Sequence, residues 1–405
     1  WLVTMLLLVT AMAMPKMAWA ETYDQNGFAK DGSYQPATLT TDQYDINGDG
    51  TIDEVYEIGN AGQLYWFAAL VNGKLTDGTS QNRNACAVLV SNITVNKNLL
   101  NSLDNNGYPT GTVTIDSWTP FGDYISSYYD GLDYLGIFDG NGHSISGLYC
   151  KQPNAKNISF CGYMTKGTIK NVAIIDSYFE GDYNVGGIVG ASNESAIKNC
   201  LFCGTVKSNN RVGGICGGIQ GYSTISDCFS NAQILVVENA NNYCGGICGM
   251  GYGQKIKLRN CVYNNSLYSG QVIKWVEEYE NDVAWTGTVE HITGMKTAEI
   301  ASGKATHWLN RYHSGDGLGW YQNIDNGQTN DAYPVLDNTH GMVYASQPCP
   351  SNYSNDKTKL SKSLHSWDTD NVCKQCGKTK DVFDLVTGFQ EPSQVDGVYQ
   401  IRTAG

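Results

Sequence analysis

Charge is scarce in this sequence. Of its 405 residues only 16% are Asp, Glu, Lys or Arg, against about 25% in an average soluble domain, and proline contributes just 9. Since 41% of residues are apolar, disorder from high charge and low hydrophobicity is excluded for the bulk of the chain. Basic residues are the scarcer sign: 26 Lys and Arg stand against 39 Asp and Glu, a net charge of -13. An acidic chain without a Lys/Arg stripe interleaved with aromatics repels phosphate backbones, so no nucleic-acid partner is expected. The zinc-protease pattern H-E-x-x-H is missing from all 6 histidine contexts. Long apolar runs are missing as well, and the one at the start, Leu2 to Met14, is too short to span a bilayer. Followed by Pro15, Lys16 and Ala18-Trp19-Ala20, it reads as a signal peptide over 1–20, with export to the cell exterior or surface. The first residue is Trp1 rather than methionine, which reads as a fragment of a longer product.

Glycine, by contrast, is abundant, and it is periodic. VGGIVG (Val185 to Gly190), VGGICG (Val212 to Gly217) and CGGICG (Cys244 to Gly249) recur at offsets of 27 and 32 residues, with a weaker SFCG ending at Gly162. Each is followed by a second signature: Ile169-Lys170-Asn171, Ile197-Lys198-Asn199, Ile225-Ser226-Asp227 and Leu258-Arg259-Asn260. Repeats of this length, rich in Val, Ile, Gly and Asn and without helical periodicity, predict a stacked solenoid, here a parallel β-helix. Coils one strand spacing apart superpose equivalent side chains, so Ile188, Ile215 and Ile247 should form one apolar column and Ile169, Ile197, Ile225 and Leu258 another. The column Asn171, Asn199, Asp227, Asn260 falls where alternation breaks, and Asn and Asp tolerate the left-handed conformation a bend needs. An Asn ladder is predicted there.

Thirteen cysteines in an exported chain would ordinarily suggest disulfides. Their positions argue otherwise. Cys200, Cys228 and Cys261 follow the Asn column, while Cys161, Cys216 and Cys248 share a column with Val189. Stacked, inward thiols behave as small apolar residues, so reduced core cysteines are expected.

The run YLGIFDGNGHSISGLYC (Tyr134 to Cys150) followed by the VGGI units resembles the GLUG-motif surface proteins of bacteria, whose repeats also occur near the N-termini of some immunoglobulin A-cleaving metallopeptidases. The resemblance extends over YEIGNAGQLYWFAALVNG (Tyr56 to Gly73), AVLVSNITVNKNL (Ala87 to Leu99) and WYQNIDNGQTNDAYPVLD (Trp320 to Asp337). It implies an all-β, right-handed parallel β-helix (β-solenoid) with short α-helical caps; it does not imply proteolysis here, because H-E-x-x-H is absent from the histidine contexts.

The expected organisation is a linker over 21–54, a β-helix with an N-terminal cap helix over 55–275, a capping region over 276–345, a Cys/His mini-module over 346–380, and a linker over 381–405. Leu64, Phe67, Ala68 and Val71 have helical spacing behind Asn60 as N-cap, and a second helix is expected over Thr297 to Leu309, closing the last coil. VDGVYQIRTAG (Val395 to Gly405) echoes DEVYEIGNAG (Asp53 to Gly62), which suggests the start of a second module.

Three groups of residues carry candidate chemistry. Asp45, Asn47, Asp49, Thr51 and Asp53 read as a short calcium-type loop, D-x-N-x-D-G-x-x-D, with Tyr56 where an EF-hand places Glu. The alternative is a plain acidic turn. Cys349, His365, Cys373 and Cys376 suffice for a closed, structural zinc site, with a disulfide or neither as alternatives. The acidic residues on the solenoid, including Asp176, Glu180 and Asp182, are of the type that a polysaccharide-cleaving β-helix uses for acid/base work, a likeness at fold level only, and exterior carboxylates are more often solvated. Tyr128, Tyr129 and Tyr134 are candidates for an exposed, sugar-stacking surface. The leading reading is a non-enzymatic β-helix module of a repetitive surface protein, an adhesin or stalk that contacts glycans or host proteins. A carbohydrate-active β-helix enzyme and the non-catalytic N-terminal region of a secreted metallopeptidase are the alternatives.

Overall fold

A computed structural model of the chain describes residues 23–123, 132–236, 243–253, 255–275, 287–315, 317–374, 376, 378–380, 393–395 and 398–400. The expected signal peptide lies outside the described residues. From Asp53 to Met295 the chain winds into a parallel β-solenoid of about eight turns. One sheet contains eight parallel strands, from Asp53–Ile58 through Thr168–Lys170, Ala196–Lys198 and Thr224–Ser226 to Thr288–Glu290. A second is built on the long strand Ala173–Gly186 and its neighbours Leu201–Ser208 and Phe229–Val236. The third stacks Cys161–Thr165, Val189–Asn193, Cys216–Gln220, Cys248–Tyr252 and Ile273–Trp275.

The columns form as the repeat requires. Ile169 pairs with Ile197, Ile197 with Ile225 and Ile225 with Leu258, and none is more than 1% exposed. Each contributes about 1.5–3 kcal/mol by burial. Phe138 precedes this column and Val289 ends it, 45% exposed because few rung atoms follow. The VGGI turns superpose, Val185 on Val212 and Val212 on Cys244. Their second glycine is sterically required: a Cβ at Gly214 would sit 1.9 Å from Ser230 Oγ and 2.4 Å from the Gly246 carbonyl oxygen. Cys161, Val189, Cys216 and Cys248 align in one column. Cys200, Cys228 and Cys261 point thiols at carbonyl oxygens of their own rungs, Lys198, Ser226 and Arg259, at 3.1–3.3 Å. Burial holds the Cys161, Cys228, Cys248 and Cys261 thiols well above their ordinary pKa, so they are apolar filling and not nucleophiles.

Asn171, Asn199, Asp227 and Asn260 all adopt left-handed φ, between 48° and 56°. Asn199 Nδ2 donates to Asn171 Oδ1 at 2.9 Å, and Asn260 Nδ2 donates to Asp227 Oδ1 at 2.6 Å. A second ladder turns the corner before the third sheet, where Asn184 Nδ2 donates to Asn157 Oδ1 at 2.9 Å.

The N-terminal end is closed as the spacing suggests. The helix Ala61–Asn72 is capped by Asn60, whose side chain accepts from Gln63 N at 2.9 Å. Its Phe67 lies 5.7 Å from Phe121 and 5.9 Å from Phe138, sealing the core with aromatic rings. Within the stretch assigned above to a linker, Thr38–Tyr44 pairs antiparallel with Asp53–Ile58 and covers the open edge of the first sheet.

The other expected cap is placed differently. Thr297–Ala301 and Lys304–Arg311 are two short helices broken at Gly303, which has a φ of 90°. Rather than closing the last coil, they begin a segment that runs back along the outside of the solenoid beside the Asn ladder. Asn260 donates to the Leu309 carbonyl (2.8 Å), Ser314 Oγ to Asp227 Oδ2 (2.7 Å) and Asn199 to the Leu318 carbonyl (3.0 Å), while Leu318 and Leu336 reach Gly142. The physical cause is a column of outward apolar residues, Ala173, Leu201, Phe229 and Val262, which Trp320, Leu309 and Leu336 bury. At the far terminus, Val395 pairs antiparallel with Val398, as Thr40 pairs with Val55 in the opening hairpin.

Candidate metal centre and polar sites

Beyond the flank segment the chain makes small loops around a cysteine cluster. Cys349 N donates to the Ser363 carbonyl at 3.1 Å, bringing its strand beside the approach to His365. Cys373 N donates to the Lys378 carbonyl at 2.8 Å, curling the C-x-x-C segment into a knuckle. The result gathers Cys349, His365, Cys373 and Cys376 with one ligand atom each, all within 4.8 Å of one another. Cys349 Sγ is 3.6 Å from Cys373 Sγ, and Cys376 Sγ is 3.4 Å from His365 Nδ1. Burial and the neighbouring Cys373 and Cys376 push the Cys349 thiol up to about 12. The residues joined in sequence as one candidate set are therefore joined in space.

The five residues of the calcium-type loop do not gather into a comparable ligand group; their side chains are largely used by hydrogen bonds within the loop itself. Asp45 accepts from the N–H groups of Gly48, Asp49 and Gly50 at 2.8–3.0 Å, and Asp53 Oδ2 accepts from Ile46 N at 3.0 Å. Asp49 accepts from the hydroxyl and N–H of Thr51, which hold its carboxyl below the usual range. Asn47 Nδ2 bridges Asp49 and Asp53.

Asp176 and Asp182 are half-buried, Glu180 is buried, and all three are tied to neighbouring donors. Asp176 accepts from Leu99 N and Leu100 N at 2.7 and 3.0 Å, anchoring a loop. Glu180 is buried and bonded to Lys151, to Tyr178 Oη (2.6 Å) and to Lys207 (3.0 Å). Burial alone would raise its pKa, and these three donors outweigh that and leave it lowered. Asp182 accepts from Asn209 Nδ2 at 3.0 Å.

Tyr134 is not a surface residue. It is fully buried, donates its hydroxyl to the Ala85 carbonyl at 2.9 Å and meets Phe121 edge-on at 5.0 Å. A tyrosine with a paired hydroxyl satisfies a core position, which a sequence cluster does not reveal. Tyr128 and Tyr129 lie outside the described residues.

One feature escaped sequence reasoning. Between the helix Lys304–Arg311 and the cysteine module lies a cleft of about 800 Å³, lined by Arg311, Lys357, Lys362, Met342, Tyr344 and Leu360 among others. Among the described residues no carboxylate lines it, although the chain is acidic overall. Its cations are spread over some 50 positions of sequence, so no local motif signals it.

The GLUG motif matches residues 208–235, one complete rung and its corner. Residues 208–235 carry a GLUG motif. Halomucin from Haloquadratum walsbyi is 28% identical over 183 residues, which is 44% of this chain and 2% of halomucin, so the chain spans a small fraction of that relative. A crystal structure from Bacteroides ovatus, provisionally assigned as an immunoglobulin A1 protease, matches over 70% of this chain and 92% of its own at 18% identity. Its TM-score is 0.35, too weak a likeness to bear on function.

Proposed function

We propose that this chain is a non-enzymatic GLUG-repeat scaffold of an exported surface protein, serving as a stalk or adhesin module. The observation that carries the reading is the engagement of the solenoid carboxylates: Asp176, Glu180 and Asp182 all accept from neighbouring structural donors, so these three are not paired as acid and base over a groove. A rod of stacked rungs, closed at its N-terminal end by the helix Ala61–Asn72, supplies reach and stiffness rather than chemistry. The calcium-type loop would tie the opening hairpin in a calcium-rich exterior. The cation-lined cleft beside Tyr344 suits an acidic saccharide, with Arg311 and Lys362 on its anionic group and an apolar wall for the ring face.

The test is an incubation of the whole chain with acidic and neutral polysaccharides, followed for cleavage and, on a glycan array, for retention. Retention of acidic glycans that falls at least tenfold in Arg311→Ala, with no cleavage, is the expected result. Cleavage abolished by Glu180→Gln or Asp182→Asn would overturn the scaffold reading in favour of a carbohydrate-active enzyme.

A further inference from the structure

We infer that Cys349, His365, Cys373 and Cys376 form a structural zinc site that acts as the core of the C-terminal module. Zinc bound by thiolate at about 2.3 Å and by imidazole at about 2.0–2.1 Å places tetrahedral ligand atoms about 3.5–3.8 Å apart. The Cys349–Cys373 sulfur separation of 3.6 Å and the Cys376–His365 separation of 3.4 Å match those edges. A disulfide requires sulfur atoms about 2.05 Å apart. The four side chains also approach from three separate loops, the arrangement of a closed site without a position for substrate.

The surroundings show why a crosslink belongs here. Cys349 and Cys373 are buried, yet their module supplies few apolar side chains to bury beside them, and its other buried residues in this stretch include Ser346 and Ser354. So small a polar segment cannot exclude water through a hydrophobic core, and a metal supplies the missing closure. Contacts to the rest of the molecule include Asn355, which accepts from Ile324 N at 2.7 Å and donates to the carbonyls of Gln322 (2.8 Å) and Met342 (3.0 Å), and Ser354, whose hydroxyl donates to Asp325 Oδ2 at 2.6 Å. Zinc would therefore fix the loops on one side of that anchor, including Pro348 and Pro350, which form a wall of the cationic cleft. Binding converts three thiols to thiolates and releases three protons to solvent, leaving a site of net charge minus one that needs no counter-ligand.

The experiment uses the whole chain purified with reductant. Native mass spectrometry should find one zinc per chain, and exchange with Co²⁺ should give the strong visible absorption and thiolate charge-transfer bands of a tetrahedral three-sulfur, one-nitrogen site. Cys376→Ser, which removes a direct ligand, should weaken zinc binding by more than the roughly 100-fold that loss of an outer-shell partner costs. His365→Cys should keep one metal with a four-sulfur spectrum, which separates loss of a ligand from loss of folding. Cys86→Ser, remote from the cluster, should leave stoichiometry unchanged. Chelation should expose residues 346–380 to protease while the solenoid stays resistant. Failure to retain metal, a Cys349–Cys373 disulfide in chain purified without reductant, or unchanged proteolysis after chelation would overturn the inference.

Discussion

The rungs from Cys161 to Asn264 and the segment from Lys296 to Leu336 bury comparable apolar side chains by different means. In the rungs the core positions repeat, so Ile215 is packed between Ile188 and Ile247, whose backbone groups bond in register. In the flank nothing repeats. Trp320 sits on the outward column and is held by a reciprocal pair with Asn310, whose Nδ2 donates to the Trp320 carbonyl at 2.7 Å while Trp320 N donates to Asn310 Oδ1 at 2.9 Å. Repetition makes each rung depend on its neighbours, whereas the flank depends on a few particular bonds. Damage should therefore spread along the solenoid and stay local in the flank.

The hardest test of that contrast is Ile215→Asp, which places an unpaired charge in a fully buried column. A cost of about 4 kcal/mol or more is expected, with loss of soluble, cooperatively melting protein by circular dichroism. Trp320→Ala comes next, at about 3–5 kcal/mol for a buried aromatic. Here hydrogen exchange should rise across 297–337 while the rungs keep their protection, and simultaneous loss of protection in the rungs would abolish the distinction. Asn199→Ala removes a ladder bond, a bond to the Leu318 carbonyl and a residue suited to a φ of 52°, so about 1–3 kcal/mol is expected. Because Asn199 joins the two regions, denaturant melts should show both weakened.

The smallest effect is electrostatic. The pKa of Glu180 is lowered in the folded state from an ordinary value of 4.5, so its contribution is present above that pH and is lost as pH falls through the folded value. Glu180→Gln should therefore flatten the acid side of the stability profile, and a variant whose acid limb matches the parent would contradict this role.

Much of the solenoid was legible because its columns rest on period and residue type. Ile169 and Ile197 reveal each other through spacing, and Asn171 marks a corner because few residues tolerate its conformation. The cysteine module was legible for a similar reason, since C-x-x-C with a distant Cys and His has a chemical meaning independent of fold. The flank was not legible. Asn260 and Asn199 bond there to backbone carbonyls of Leu309 and Leu318, which carry no sequence signal. His291 occupies the rung after Asn260 and stacks on Tyr312 at 4.0 Å, a substitution within the ladder that spacing alone does not announce. Tyr134 was misplaced because aromatic clustering in sequence says nothing of which ring turns inward.

Superposition of like side chains on successive coils is most directly tested by a long-wavelength anomalous map of crystals of the chain, which locates every sulfur atom without reference to a tracing. The account predicts that Cys200, Cys228 and Cys261 form one row and Cys216 and Cys248 belong to another, with successive rungs about 4.8 Å apart and no sulfur pair in either row at bonding distance. Sulfur peaks dispersed off a common axis, or fused into pairs about 2 Å apart, would contradict it.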